Sequence, residues 1–73
     1  MKQISEAQLS NLRKRYPEGS LVELVYTSDP YTKLQPGAVG TVMMVDDMGT
    51  VHINWEDGGV LGLVPGEDEF RSI

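Results

Sequence analysis

The chain has 73 residues, enough for one small hydrophobic core, so we expect a single domain over residues 1–73. Its 40% hydrophobic and 23% charged residues are typical of a globular protein and argue against disorder. It has no cysteine, which excludes disulfide staples and thiolate chemistry, and its net charge of −5 disfavours binding to phosphate backbones.

The location of the protein is predicted from what the sequence lacks. No apolar run approaches the roughly 18 residues of a membrane-spanning helix. The first residues lack the apolar stretch of a signal peptide. Together with the absence of cysteine, this predicts a cytoplasmic protein without membrane contact.

The first segment has the pattern of a helix over about residues 5–15. Ser5 is a good N-cap, and Gln8 three residues later completes a capping box. Apolar residues then recur at the helical period, and we expect this stripe to pack on the rest of the domain: Leu9, Leu12 and Tyr16.

After residue 20 the hydrophobic period changes to two, which predicts strands. Five are expected, at residues 20–26, 39–45, 50–55, 60–64 and 69–73. The first should turn Val22, Leu24 and Tyr26 to one face, and Gly40 should mark a bulge in the second. Short strands joined by tight turns and one longer loop, residues 27–36, favour a small closed barrel over residues 20–73.

Two runs in the middle of the chain, with flanking segments on either side, resemble a known family. The runs are residues 36–42 (PGAVGTV) and 45–58 (VDDMGTVHINWEDG), and the flanks are 16–19 (YPEG) and 61–68 (LGLVPGED). Over residues 12–73 the pattern resembles bacterial domain-of-unknown-function family 4314, and it is similar to SH3-like barrels of the mind-bomb and KOW type. The resemblance implies a mainly β fold, a five-stranded SH3-like barrel with one N-terminal α-helix. It supplies no catalytic residues.

The sequence carries no catalytic constellation. His52 is the single histidine, and its alternation with Val51 and Ile53 turns it away from the core. A catalytic histidine needs an orienting carboxylate and a nucleophile within reach, and no serine lies in a nucleophile-elbow context. We therefore expect no enzyme and no cofactor.

Five carboxylates are predicted to lie at one end of the third strand, because the fourth strand returns the chain to that end. They are Asp46, Asp47, Glu67, Asp68 and Glu69. Hard divalent cations favour such oxygen clusters, which makes this a weak candidate metal site. The ligand spacing of an EF-hand is absent, and Asp and Gly are also ordinary turn residues.

The positive charge is concentrated at the start of the chain. Residues 1–15 hold four basic residues and one acidic residue, a net of +3, whereas residues 16–73 hold two basic and ten acidic residues, a net of −8. Arg13, Lys14 and Arg15 have two interpretations, an anion-binding patch or complements to the dipole at the helix C-terminus.

The aromatic residues suggest a binding surface. Antiparallel order places Tyr26, Tyr31 and Trp55 near one end of the barrel. Asp29 and Glu56 are expected at the same end, and aromatic faces beside carboxylates suit a peptide that carries Lys or Arg. Trp55 also shares the core face of Val51 and Ile53, so a core position and a groove position both remain open.

The leading functional hypothesis is therefore a non-catalytic module that binds a protein or peptide through the end that holds Tyr31. One alternative is a KOW-like module associated with nucleic acid through the basic helix end, although the acidic barrel makes nucleic acid an unlikely partner. Another is a small acidic regulatory or mimic protein that occupies a partner's basic site. Electrostatic binding in either alternative should weaken steeply with salt.

Overall fold

The computed structural model describes residues 4–56 and 58–73, and within them it contains one helix and five strands. Their bounds are α1 Glu6–Arg15, β1 Leu21–Tyr26, β2 Val39–Val45, β3 Val51–Trp55, β4 Gly59–Leu63 and β5 Glu69–Ser72. Each predicted element is present, with its ends within one residue of the predicted ends. None of the described helices is long and apolar enough to cross a membrane.

The five strands form one antiparallel sheet in the order β4-β3-β2-β1-β5. The first four strands follow one another as a meander, and β5 returns to pair with β1. Asp68 bonds both the Val64 N–H at the end of β4 and the Ser28 N–H after β1, each at 2.8 Å. Because two strands separate β4 from β1 in the sheet, this carboxylate can reach both only if the sheet is strongly curled.

The inner face of the curled sheet forms the hydrophobic core. Its buried residues are Tyr16, Val22, Leu24, Leu34, Val42, Val45, Val51, Ile53, Trp55, Leu63 and Phe70. Alternate residues of β3 point inward, which confirms the predicted period of two. The mainly β fold with one N-terminal helix is therefore as expected.

The predicted bulge at Gly40 is wrong. The register of β2 against β3 shifts between Val42 and Met44 instead. Gly40 is required for a different reason, since a Cβ there would collide with Ile53 Cγ2 and would lie 2.9 Å from Trp55 Cε3. Only a glycine leaves room for the tryptophan ring to cover the strand.

The expected face of Tyr26 is also wrong. The β1–β5 register shifts between Leu24 and Tyr26, so the alternation of β1 breaks before its last residue. Val22 and Leu24 are buried as predicted, whereas Tyr26 is 60% exposed.

The helix docks on the domain as the apolar stripe predicts. Tyr16 is in the core, with its ring centroid 4.9 Å from that of Phe70, and Leu9 and Leu12 pack against the core while remaining partly exposed. The predicted capping box is present, with Ser5 Oγ accepting from the Gln8 N–H and Gln8 Oε1 accepting from the Ser5 N–H. A short helix gains most of its stability from such docking.

Candidate functional site

The β1–β2 loop, residues 27–38, is held at both ends. After β1, the Asp68 carboxylate accepts hydrogen bonds from Thr27 Oγ1 and from the backbone and hydroxyl of Ser28. Further along, Leu34 is only 7% exposed and belongs to the core. The loop therefore has a fixed position, although it contains no helix or strand.

Short-range hydrogen bonds also order the loop between its two anchors. Asp29 Oδ1 accepts from the Tyr31 N–H at 2.9 Å, and Thr27 Oγ1 accepts from the Asp29 N–H at 3.2 Å. Thr32 Oγ1 accepts from the Leu34 N–H at 3.2 Å. Such side-chain turns give a loop one preferred backbone path.

This ordered loop displays Tyr31, whose residue surface is 91% exposed, close in sequence to the 60% exposed Tyr26. Both predicted binding tyrosines are thus accessible. Trp55 is not, because it is 2% exposed and its Nε1 faces the Leu61 carbonyl oxygen at 3.4 Å. Of its two predicted positions the structure places Trp55 in the core, so its assignment to the binding surface is wrong.

Two carboxylates lie next to the tyrosines, and a third lies in a turn that touches the same loop. Glu69 is the cross-strand neighbour of Tyr26, and Asp29 lies two residues before Tyr31. The turn after β3, which begins with the exposed Glu56, touches the same loop: a Cβ on Gly58 would lie 2.8 Å from Leu34 Cδ2. The loop itself contributes one cation, Lys33. We call Tyr26, Tyr31, Asp29, Glu56 and Glu69 the tyrosine end.

The predicted convergence of five carboxylates is wrong. Among residues 4–56 and 58–73, which include all five, no group of three or more potential ligands could hold a metal ion. Asp68 is engaged with Thr27, Ser28 and Val64, while Asp46 is engaged within the β2–β3 turn. Val64 and Pro65 after β4 line a cavity together with Met48 and Gly49 of that turn, but the Asp68 carboxylate is directed to the end of β1.

The Asp68 carboxylate is stabilised in its charged form. Burial acts to raise the pKa of Asp68, but hydrogen bonds from Val64, Ser28 and Thr27 outweigh it and hold the pKa below the ordinary 3.8. Its hydrogen bonds connect the end of β4 with the segment that follows β1.

A second carboxylate, Asp46, forms a pair with His52, which no sequence pattern had indicated. Asp46 Oδ2 lies 2.8 Å from His52 Nε2, and Asp46 Oδ1 accepts the N–H groups of Met48 and Thr50. The hydrogen bond to His52 is the main cause that lowers the pKa of Asp46 below 3.8. The turn composition signalled the backbone bonds, whereas the histidine contact depends on how the twisted hairpin orients both side chains.

The basic segment is partly committed to the fold. Arg13 donates from Nε and Nη2 to the Val45 carbonyl oxygen, and Nη2 also lies 3.0 Å from Asp47 Oδ1. The Arg15 guanidinium stands 5.4 Å from the Tyr16 ring centroid. These contacts favour the structural interpretation of the basic segment over an anion-binding patch.

Sequence comparisons place the chain in a family. Searches of curated proteins and of solved structures each returned no significant match. A family model described as "Domain of unknown function (DUF4314)" matches residues 5–73, which is nearly the whole chain and includes the helix, the five strands and the tyrosine end. The chain therefore belongs to the DUF4314 family.

Proposed function

We propose that this protein is a non-catalytic interaction module that binds a basic peptide or protein segment at the tyrosine end. The observation that carries this proposal is the display of Tyr31, 91% exposed, on a loop anchored by Asp68 and Leu34. An exposed aromatic side chain adds nothing to the core and lowers solubility, so its presence on an ordered loop favours a role in recognition.

The fixed conformation of the β1–β2 loop matters for affinity. A flexible loop loses conformational freedom when a partner binds, and that loss subtracts from the binding free energy. Here the hydrogen bonds from Thr27, Ser28 and Tyr31 to carboxylates hold the backbone before any partner arrives. The free energy gained from contacts with the tyrosines is therefore reduced less by the entropy cost of ordering the loop.

The chemistry of the partner follows from the surroundings of the tyrosines. Asp29, Glu56 and Glu69 give the tyrosine end an excess of negative charge over Lys33. A Lys or Arg side chain can lie on a tyrosine ring while its charge faces a carboxylate. A shallow contact of this size supports a dissociation constant of about 1–100 µM.

The sheet order also supports the finer fold assignment. A four-stranded meander whose fifth strand returns to β1, curled so that Asp68 connects β4 to β1, fits the SH3-like barrel that the sequence suggested. Such barrels serve many functions, so the binding site and not the fold has to support the function.

The nucleic-acid alternative receives less support. It requires the basic end of α1 to face a phosphate backbone, yet Arg13 is bonded to Val45 and Asp47. Few positive charges then remain against a chain whose net charge is −5.

Chemical-shift titration of the protein tests the proposed function. The probe is a pool of decapeptides in which Lys or Arg alternates with Val, Ile or Tyr, beside a matched Asp/Glu pool and a mixed-sequence oligonucleotide. We expect shifts at residues 26–31 with the basic pool alone. Tyr31→Ala should weaken binding about tenfold, whereas Met48→Ala, which removes a 71% exposed apolar side chain elsewhere, should leave it unchanged.

Other results would contradict the proposed function. Shifts confined to residues 13–15 with the oligonucleotide would favour the nucleic-acid alternative. An affinity for the basic pool that is the same in Tyr31→Ala would remove the tyrosine end as the binding surface.

A further inference from the structure

The free edge of β4 has backbone groups that point away from the sheet. At the two ends of β3, the Glu56 N–H donates to the Val39 carbonyl and the Asp46 N–H donates to the Thr50 carbonyl. The backbone N–H and C=O groups of the even-numbered residues in this segment therefore point towards β2, and those of the odd-numbered residues point towards β4. Ile53 is paired with Leu61, so the backbone N–H and C=O groups of Leu61 point towards β3. Those of Val60 and Gly62 point outward, away from the sheet.

Nothing among the described residues occupies this edge. β4 is the last strand of the sheet on its side, and no loop or side chain of residues 4–56 and 58–73 hydrogen-bonds to Val60 or Gly62. Val60 is also 58% exposed. The two outward residues thus offer two donors and two acceptors to an added strand.

The β4 edge also lacks the usual protection against strand addition. Natural edge strands are commonly interrupted by charges, proline or bulges. Residues 59–64 contain no charged residue and no proline, and β4 pairs with β3 without a register shift. The opposite edge strand, β5, carries Glu69 and Arg71.

We propose that the partner adds to β4 as a sixth strand, an extension that rests on the proposed function because it assigns a binding mode to the same basic peptide. Gly59, at the start of β4, follows directly on Gly58, which packs against Leu34 of the β1–β2 loop. A peptide paired with Val60 and Gly62 that continues past Gly59 therefore approaches the tyrosine end. Main-chain hydrogen bonds supply affinity, and the tyrosine end selects the side chains.

The charge of the protein identifies the occupant as a basic peptide and not a second copy. Two copies paired through β4 would each carry a net charge of −5 over the whole chain, and this like charge opposes their association. A peptide with Lys or Arg at alternate positions brings the opposite sign. Its remaining positions, next to the exposed Val60 side chain, suit apolar residues.

Amide hydrogen exchange followed by NMR tests this binding mode directly, with the basic decapeptide pool as the probe. In the free protein the Val60 and Gly62 amides should exchange fast, and the Leu61 amide should be protected. Addition of the pool should slow exchange at Val60 and Gly62 by about tenfold or more at saturation. Val60→Pro removes one outward donor without breaking a bond to β3.

The expected effect of Val60→Pro is a loss of affinity of about tenfold, while Val60→Ala, which keeps the N–H, stays within about threefold. The dispersion of the amide spectrum shows whether each variant folds. For a variant that does not, the exchange measurement on the unaltered protein decides.

The two proposals fail in different ways. If Tyr31→Ala weakens binding but the Val60 and Gly62 amides remain unprotected, strand addition alone is overturned. Protection at both amides with no effect of Tyr31→Ala overturns the tyrosine end alone. No binding of the basic pool overturns both, and a dimer in sedimentation that Val60→Pro dissociates overturns the choice of occupant.

Discussion

The ring of Trp55 lies directly on Gly40, on the neighbouring strand, where a Cβ would come within 2.9 Å of Trp55 Cε3. The same Cβ would also collide with Ile53 Cγ2. Both contacts are with fully buried side chains, so neither neighbour can move away into solvent. The tight packing of the core thus depends on a residue without a side chain.

We expect Gly40→Ala to lower the free energy of unfolding by about 1–3 kcal/mol, because the added methyl group overpacks the core. Urea denaturation measures the loss. Asn54→Ala changes an exposed residue on the other face of β3 and should stay within about 0.5 kcal/mol. Equal stability of Gly40→Ala and the unaltered protein would show that the core has room at this point.

Stability should depend on pH through Asp46 and Asp68. Both folded-state pKa values lie below 3.8, so the unfolded chain takes up protons first as the pH falls. The stabilisation is complete well above the unfolded-state pKa of 3.8 and is lost as the pH falls through the folded-state pKa values. Urea midpoints measured from pH 7 down to pH 2 should show this acid loss.

Asp68→Asn separates the contribution of one carboxylate. The amide cannot accept at both ends of the curled sheet, because its NH₂ group must face either the Val64 or the Ser28 N–H. We expect a loss of about 1–3 kcal/mol at neutral pH and a shallower decline in acid than the unaltered protein shows. Parallel acid curves for the two proteins would exclude this role of Asp68.

Arg13 should contribute to helix docking, whereas its neighbour Lys14 should not. Arg13 donates to the Val45 carbonyl and to Asp47, which joins α1 to the end of β2. Arg13→Ala should lower the free energy of unfolding by about 1–2 kcal/mol. Lys14→Ala removes the same charge and serves as the matched control. If thermal melting shows the same shift for both variants, the effect is one of net charge and not of the Arg13 contacts.

Divalent cations should have little effect on stability, because Asp46 and Asp68 are each engaged by their own hydrogen-bond donors. Addition of about 5 mM calcium chloride, or of excess EDTA, should move the melting temperature by less than about 1 °C. Melting of Asp68→Asn under both conditions is the control. A rise of several degrees with calcium in the unaltered protein alone would indicate a site that the carboxylate geometry does not suggest.

Much of the fold could be predicted because local patterns agree with the final structure. The capping box of Ser5 and Gln8, the apolar stripe of α1 and the alternation in β3 are each set by neighbouring residues. Glycine at a turn is also a local signal, because it adopts positive φ values readily, as at Gly49, where φ is +86°. The number, type and order of the elements follow from such signals.

The candidate site was predictable only in part. Tyr31 was expected in an exposed loop, and it is exposed. Tyr26 was expected both to share a face with Val22 and Leu24 and to belong to the binding surface, and a register shift after Leu24 separates it from that face. No pattern within a single strand reports how that strand is paired with its neighbour, so this shift was not visible in the sequence.

The sequence alone therefore determined the local elements, their alternation and the acidic character of residues 16–73, since these depend on the residues themselves and on their near neighbours along the chain. The tertiary structure decided which polar groups meet across the chain: Asp68 with Ser28 and Val64, Asp46 with His52, and Arg13 with Val45. It also placed Trp55 in the core and left the edge of β4 open. These outcomes depend on the curl and register of the sheet, which arise from the simultaneous packing of all five strands and not from any one segment.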